Sequence, residues 1–205
     1  MPKRKRYHHG NLREALLQAA IQLIGEVGPA GFTLREVARR AAVSHNAPYR
    51  HFQDKEELLA AVATQGFHGL TEAMLNAVRQ QSDSVERLKL AGLAYVEFAL
   101  RRPEHFTVMF DAPVSRSKDS DFAQSGEQAF ATLLNLVTTC QQEGRLPSGD
   151  PLSFALLAWS MVHGVAKLAT AGRLPSNSRT DVLKFARFVI DQSLPTSEPP
   201  SMAGQ

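Results

Sequence analysis

Three helix-start signals follow one another at intervals of about ten residues, at Thr33, Ser44 and Asp54, and they leave this stretch few ways to fold. Each side chain carries an oxygen that can accept from the unpaired N–H groups of a helix's first turn. Thr33 is followed three residues later by Glu36, a capping box, and Phe32 and Val37 are placed to form a hydrophobic staple across it. Asp54 is followed by Glu57 in the same way. The spacing predicts a short helix lined by Leu34, Val37, Ala38 and Ala41, a tight turn, and a second short helix over His45 to His51 with Ser44 as its cap and Phe52 as its anchor. Helix, tight turn, helix is an arrangement in which the second helix can enter a major groove.

Pro48 lies inside that second helix. As the fourth helical residue after Ser44 it removes about one backbone hydrogen bond, because the first three N–H groups are unpaired in any case. Its ring crowds the Ser44 carbonyl, so it shapes the start of the helix. Val43, Ala47 and Phe52 are expected to face the core, and His45, Asn46, Tyr49 and Arg50 to face outward. Arg50 suits bidentate contact with guanine and Asn46 with adenine; the Tyr49 hydroxyl suits a phosphate. Lys55 opens the next helix, where a cation opposes the helix dipole unless an anion binds beside it. The charge distribution agrees. Residues 1–55 hold ten Lys/Arg against four Asp/Glu, a net +6, whereas residues 56–205 hold thirteen against sixteen, a net −3. Positive charge gathered at one end points to an anionic polymer such as double-stranded DNA.

The rest of the chain is also helical in pattern, which predicts an all-α fold. Leu12, Leu16, Ala19, Leu23 and Val27 give one apolar face from Asn11 to the break at Gly28-Pro29-Ala30-Gly31. A long helix follows Asp54. Val85 to Leu100 and Phe122 to Glu143 are amphipathic, and Pro103 opens a short apolar element, "PEHFTVMF", that has strand-like composition but no partner strand nearby. Residues 152–171 are apolar almost all round, which suits a helix buried on one side by its own core and on the other by a second subunit. With the amphipathic helix 181–194 it makes a candidate homodimer interface through Ala155, Ala158, Val162, Val165, Ala166, Phe185, Val189 and Ile190. Phe98, Phe106, Met109, Phe110, Phe130, Leu133, Val137, Trp159 and His163 are candidates to line a mostly apolar effector cavity, with Trp159 and His163 as its polar handles.

The expected organisation is a basic arm over residues 1–10, a helix-turn-helix domain over 11–56, a larger helical effector-binding and dimerisation domain over 57–194, and a disordered tail over 195–205. The lone Cys140 excludes an intramolecular disulfide and fits a reducing, cytoplasmic setting. Neither a secretory leader nor a membrane span is expected. No metal or cofactor is implied, and none of the common catalytic motifs occurs, so an enzyme is not expected.

The segment "FTLREVARRAAVSHNAPYRHFQDKEELLAAV" closely resembles the DNA-binding domain of the TetR family of transcriptional regulators, over about residues 11–60. "RRPEHFTVMF" and the W-x-x-x-H-G pattern at Trp159, His163 and Gly164 resemble the family's WHG-type C-terminal domain. The resemblance implies DNA contacts from Thr33, Ser44, His45, Asn46, Tyr49, Arg50, His51 and Lys55. It implies a homodimeric regulator, a repressor released from a palindromic operator by a small hydrophobic effector; the alternative is a DNA-binding protein controlled by a protein partner. Two positions depart from the family pattern. Ala42 stands where a turn glycine is usual, at a cost of about 1 kcal/mol if the backbone there is left-handed. Asn46 stands where glycine or alanine is usual.

Overall fold

The structure, a computed structural model, describes residues 9–112, 121–175 and 178–194. Among them are eight α-helices, a 3-10 turn and no strand: α1 (His9–Val27), α2 (Leu34–Arg40), the turn Pro48–Arg50, α3 (Lys55–Val78), α4 (Ser84–Arg101), α5 (Pro103–Asp111), α6 (Asp121–Gln142), α7 (Pro151–Thr170) and α8 (Arg179–Ser193). The expected all-α architecture is the observed one, and the apolar element after Pro103 is a helix. Most of the basic arm, residues 1–8, and the tail over 195–205 lie outside the described residues. His9 and Gly10, assigned to the arm from sequence, are already helical.

Local chemistry accounts for most of the helix starts. Asp83, Asp150 and Ser178 cap α4, α7 and α8 through side-chain oxygens that accept from backbone N–H groups of the first turn. The Asp54 carboxylate accepts from Glu57 N (2.9 Å), and the Glu57 carboxylate accepts from Gln53 N (2.6 Å), so α3 starts with two otherwise unpaired donors satisfied.

The chain forms two compact units, Met1–Gly66 with Pro103–Gln124, and Phe67–Arg102 with Ser125–Gln205. The first unit therefore takes in α5, which the contiguous sequence division had left with the larger domain. Helix α5 packs on α1 and buries Phe106 and Met109. A Cβ placed on Gly66 would lie 2.6 Å from Met109 Sδ, so the glycine admits the methionine against α3.

In the second unit α4, α7 and α8 pack on one another. Helix α7 buries Ala155, Ala158, Val162, Val165 and Ala166, and α8 buries Val182, Ala186 and Ile190. Gly92 of α4 sits where a Cβ would be 3.1 Å from Ile190 Cδ1 and 3.2 Å from Val162 Cγ1. Arg187 makes a bidentate pair with Glu86 (2.6 and 3.0 Å) and a third bond to Asp191 (2.9 Å), which also pairs with Lys89 (2.6 Å).

This packing corrects the interface read from the sequence. Ala155, Ala158, Val162, Val165, Ala166 and Ile190 fill the interior of one chain, and Val189 is half-buried. The apolar side chains left outward are Leu152, Leu156, Leu157 and Leu168 on α7, and Phe185 and Phe188 on α8. Sequence could not choose between the faces of a helix that is apolar on all of them. By length and composition alone α7 could also cross a membrane, but its buried stripe seats it in this bundle.

Candidate functional site

Helix α2 is held at both ends. At its start the Thr33 hydroxyl accepts from Glu36 N (3.3 Å), while Thr33 N and Thr33 Oγ1 both donate to Glu36 Oε2 (2.7 and 2.9 Å). These bonds hold the Glu36 carboxyl below the usual carboxylate range. At its end Arg40 forms a two-pronged pair with Glu26 of α1 (2.7 and 2.6 Å).

The turn after α2 is a Schellman closure. Ala42 N donates to Arg39 O (3.1 Å) and Val43 N to Ala38 O (3.0 Å). Its geometry requires a left-handed residue, and Ala42 adopts φ = 55°. Alanine occupies a position for which glycine is better suited, as the departure from the family pattern anticipates.

The expected second helix, His45 to His51, is instead a run of tight turns containing one 3-10 turn, Pro48–Arg50. Ala47 N donates to Ser44 O (2.9 Å), and His51 N and Phe52 N both donate to Pro48 O (2.9 Å each). The cause is Pro48. It supplies no N–H to Ser44 O, and its ring pushes that carbonyl away, so the carbonyls of Ser44 and Ala47 are met through i→i+3 bonds. No side-chain cap forms at the start of this turn. Pro48 has a second role that the sequence did not disclose: it is fully buried, with Ala47 and Phe52, under the turn.

Ser44, His45, Asn46, Tyr49 and Arg50 are all exposed on this turn, Tyr49 by 53%. His51 is half-buried beside Phe52. Thr33 is exposed at the start of α2. Arg35 and Arg39, one helical turn apart on α2, add two exposed guanidinium groups that the sequence reading did not single out; their i, i+4 spacing beside the capped end was the available signal. Lys55 is turned inward: its Nζ donates to Ala30 O (2.9 Å) and Phe32 O (2.7 Å) and lies 4.5 Å from the centre of the Phe32 ring.

The candidate effector residues fall on both compact units. Phe106, Met109 and Phe110 belong to the first, with the Phe106 and Phe110 rings edge to face at 5.1 Å. Phe98, Phe130, Leu133, Val137, Trp159 and His163 belong to the second. There Phe98 and Val137 are buried, and the others are half-buried. Trp159 stacks edge to face with both Phe130 (5.9 Å) and His163 (5.8 Å). Tyr95, absent from the sequence-derived set, joins them. Trp159 Nε1 donates to Tyr95 Oη (3.2 Å), and the Tyr95 hydroxyl lies 2.7 Å from His163 Nδ1. Burial pushes the Tyr95 phenol above its usual value, so the hydroxyl stays protonated beside the imidazole. Its position on the buried stripe of α4, with a polar atom to satisfy, was the signal for it.

Residues 16–62 match the profile of bacterial regulatory proteins of the tetR family, and residues 88–192 match the tetracyclin repressor-like C-terminal domain. The chain belongs to the TetR family. A solved Rhodococcus protein of unknown function is similar along almost all of this TetR-family chain, with 34% identity, a TM-score of 0.79, and coverage of 93% of this chain and 99% of that one. AibR, solved with isovaleryl coenzyme A and operator DNA, shares the fold at 21% identity and a TM-score of 0.73, covering 91% and 100%. An HTH-type transcriptional repressor of Mycobacterium tuberculosis is 46% identical over 48 residues, which are 23% of this chain. The match spans 26% of that repressor, about a quarter of its length.

Proposed function

We propose that this TetR-family protein is a homodimeric, sequence-specific DNA-binding regulator, acting in the cytoplasm as a repressor released from a palindromic operator by a small hydrophobic effector. The observation that carries the DNA reading is the two-sided turn at residues 44–52. Ala47, Pro48 and Phe52 anchor it, and Ser44, His45, Asn46, Tyr49 and Arg50 all point out from the anchored side. In this role Arg50 and Asn46 read base edges, Tyr49, Ser44, His45 and Thr33 approach the backbone, and His51 braces the turn from beside Phe52. Arg35 and Arg39 add phosphate-binding charge.

Dimerisation is assigned to the outward faces of α7 and α8. Leu152, Leu156, Leu157, Phe185 and Phe188 present apolar surface that one chain leaves in water. Two reading turns about 34 Å apart then engage successive major grooves on one side of the duplex. Residues 11–56 serve as the reading domain and 57–194 as the effector-binding and dimerisation domain. The effector site is assigned to the Tyr95–Trp159–His163 cluster with Phe130, supported by its mixture of aromatic surface and placed polar atoms. AibR, solved with isovaleryl coenzyme A and operator DNA on the same fold, supports a protein that meets both a small molecule and DNA. An effector that favours dimers with altered spacing releases DNA tenfold for about 1.4 kcal/mol of differential affinity.

The test is selection of bound sequences from a random duplex pool by the purified protein. A palindromic motif with half-sites one helical turn apart is expected; enrichment of no sequence over the starting pool would refute the reading.

A further inference from the structure

Lys55 is the first residue of α3, where its charge is opposed by the helix dipole. The sequence offered a phosphate as the compensation. The structure holds a different one, made within the protein. The carbonyls of Ala30 and Phe32 lie in the turn between α1 and α2, and neither accepts from a backbone N–H among the described turn and cap hydrogen bonds. Lys55 Nζ donates to both, at 2.9 and 2.7 Å, from 25 and 23 residues away in the chain. The ammonium also sits over the Phe32 ring, which is itself buried, and in the field of the Glu36 carboxylate. Two of its three hydrogens are therefore committed to the protein.

The elements joined this way are the ones that set the reading surface. Phe32 and Thr33 precede α2, and Thr33 is its cap. The start of α3 follows directly on the reading turn and its anchor Phe52. Lys55 thus ties the entrance of α2 to the exit of the turn. We propose that Lys55 is a positioning residue for DNA recognition, fixing the α1–α2 turn against the start of α3 so that the capped end of α2 and the Pro48–Arg50 turn meet DNA in register, rather than a residue that neutralises a phosphate. This rests on the DNA-binding reading above.

The two roles differ in their salt dependence. A phosphate contact contributes about 0.9 to the slope of log affinity against log salt, so losing one per protomer lowers a dimer's slope by about 1.8. A positioning residue leaves the slope unchanged. The experiment compares the intact protein with Lys55→Met and Lys55→Arg on the selected operator across a salt series, at a temperature where circular dichroism shows full helical content. Lys55→Met keeps the stem over Phe32 and removes the donors; it is expected to lose about tenfold or more in affinity at every salt concentration, with the slope of the intact protein. Lys55→Arg, which retains donors for both carbonyls, is expected to recover most of that loss. A slope lower by about 1.8 in Lys55→Met, or affinity equal to that of the intact protein, would overturn the assignment.

A second measurement needs no variant. The Lys55 ammonium, held by two acceptors, should give a slowly exchanging proton–nitrogen resonance in the free protein that keeps its position when operator is added. A large displacement of that resonance on DNA binding would overturn the assignment alone. Failure of the intact protein to select any DNA would overturn the regulator reading, and this role with it.

Discussion

Replacing Ala42 by glycine should stabilise this protein, although it adds no contact. Ala42 closes the Schellman turn after α2 at φ = 55°, and its side chain is exposed, so no packing is lost with the methyl group. The left-handed conformation costs an L-residue about 1–2 kcal/mol that glycine does not incur. Glycine gives back part of this, about 0.5–1 kcal/mol, through the extra freedom it has in the unfolded chain. The balance is a gain of about 0.5–1 kcal/mol, or a rise in melting temperature of about 1–4 °C for a chain of this length. Ala42→Val should move the other way and further, because a branched side chain at positive φ is a genuine outlier. Both backbone bonds of the turn, Ala42 N to Arg39 O and Val43 N to Ala38 O, remain available in either variant. Thermal and urea unfolding followed by circular dichroism would measure the series. If Ala42→Gly melted lower than the parent, or Ala42→Val melted at the same temperature, the left-handed strain would not be where the stability is lost.

Three further outcomes are expected. Leu156→Asp combined with Phe188→Asp should give folded monomers by light scattering that no longer bind operator, whereas Val162→Asp should unfold the second unit because Val162 lies in its core; dimers that persist in the double variant would place the interface elsewhere. Arg50→Ala and Asn46→Ala should each relax preference at one position per half-site by about 1–3 kcal/mol, and an unchanged selected motif in both would remove them from base reading. Asp191, whose carboxyl is held below its usual 3.8 first by the Lys89 hydrogen bond and then by Arg187, contributes stability that is fully present above its unfolded value and is lost as pH falls through the depressed folded one. The difference in stability between the parent and Asp191→Asn should therefore be present at neutral pH and vanish in acid, and a difference that did not change with pH would show that the pairing contributes nothing.

Much of this is legible in the sequence wherever the interacting residues lie close together along the chain. Thr33 with Glu36 and Asp54 with Glu57 lie within one helical turn of each other, so spacing alone placed the starts of α2 and α3. The resemblance to the family pattern, with its turn glycine at this position, marked Ala42 as the place where a left-handed backbone would carry a cost, and the backbone there is left-handed. The outward set on the reading turn followed from where Val43, Ala47 and Phe52 had to go. Pro48 marks the limit. Its effect on the backbone is local, yet whether the result was a bent α-helix or a 3-10 turn depended on burying its ring beside Ala47 and Phe52.

Other features were decided by residues far apart in the chain. Lys55 reaches carbonyls 23 and 25 residues away, and a cation at a helix start has the same sequence signature whether it turns toward solvent or toward the protein. Tyr95 meets Trp159 and His163 across 64 and 68 residues, and the pattern of α4 marks it as a buried polar group without naming the partners that satisfy it. Helix α5 packs on α1, and its Met109 seats against Gly66 of α3, contacts that the order of the elements does not set. Helix α7 is apolar on every side, so its sequence stated that two surfaces would be covered without saying which one its own chain would cover. Packing against α4 and α8 made that choice, burying the small residues Ala155, Ala158 and Ala166 where helices approach closely and leaving the leucines outside. Periodicity and caps act over a few residues and are written in the sequence. Which face meets which neighbour depends on complementary shapes that exist only once the chain has folded.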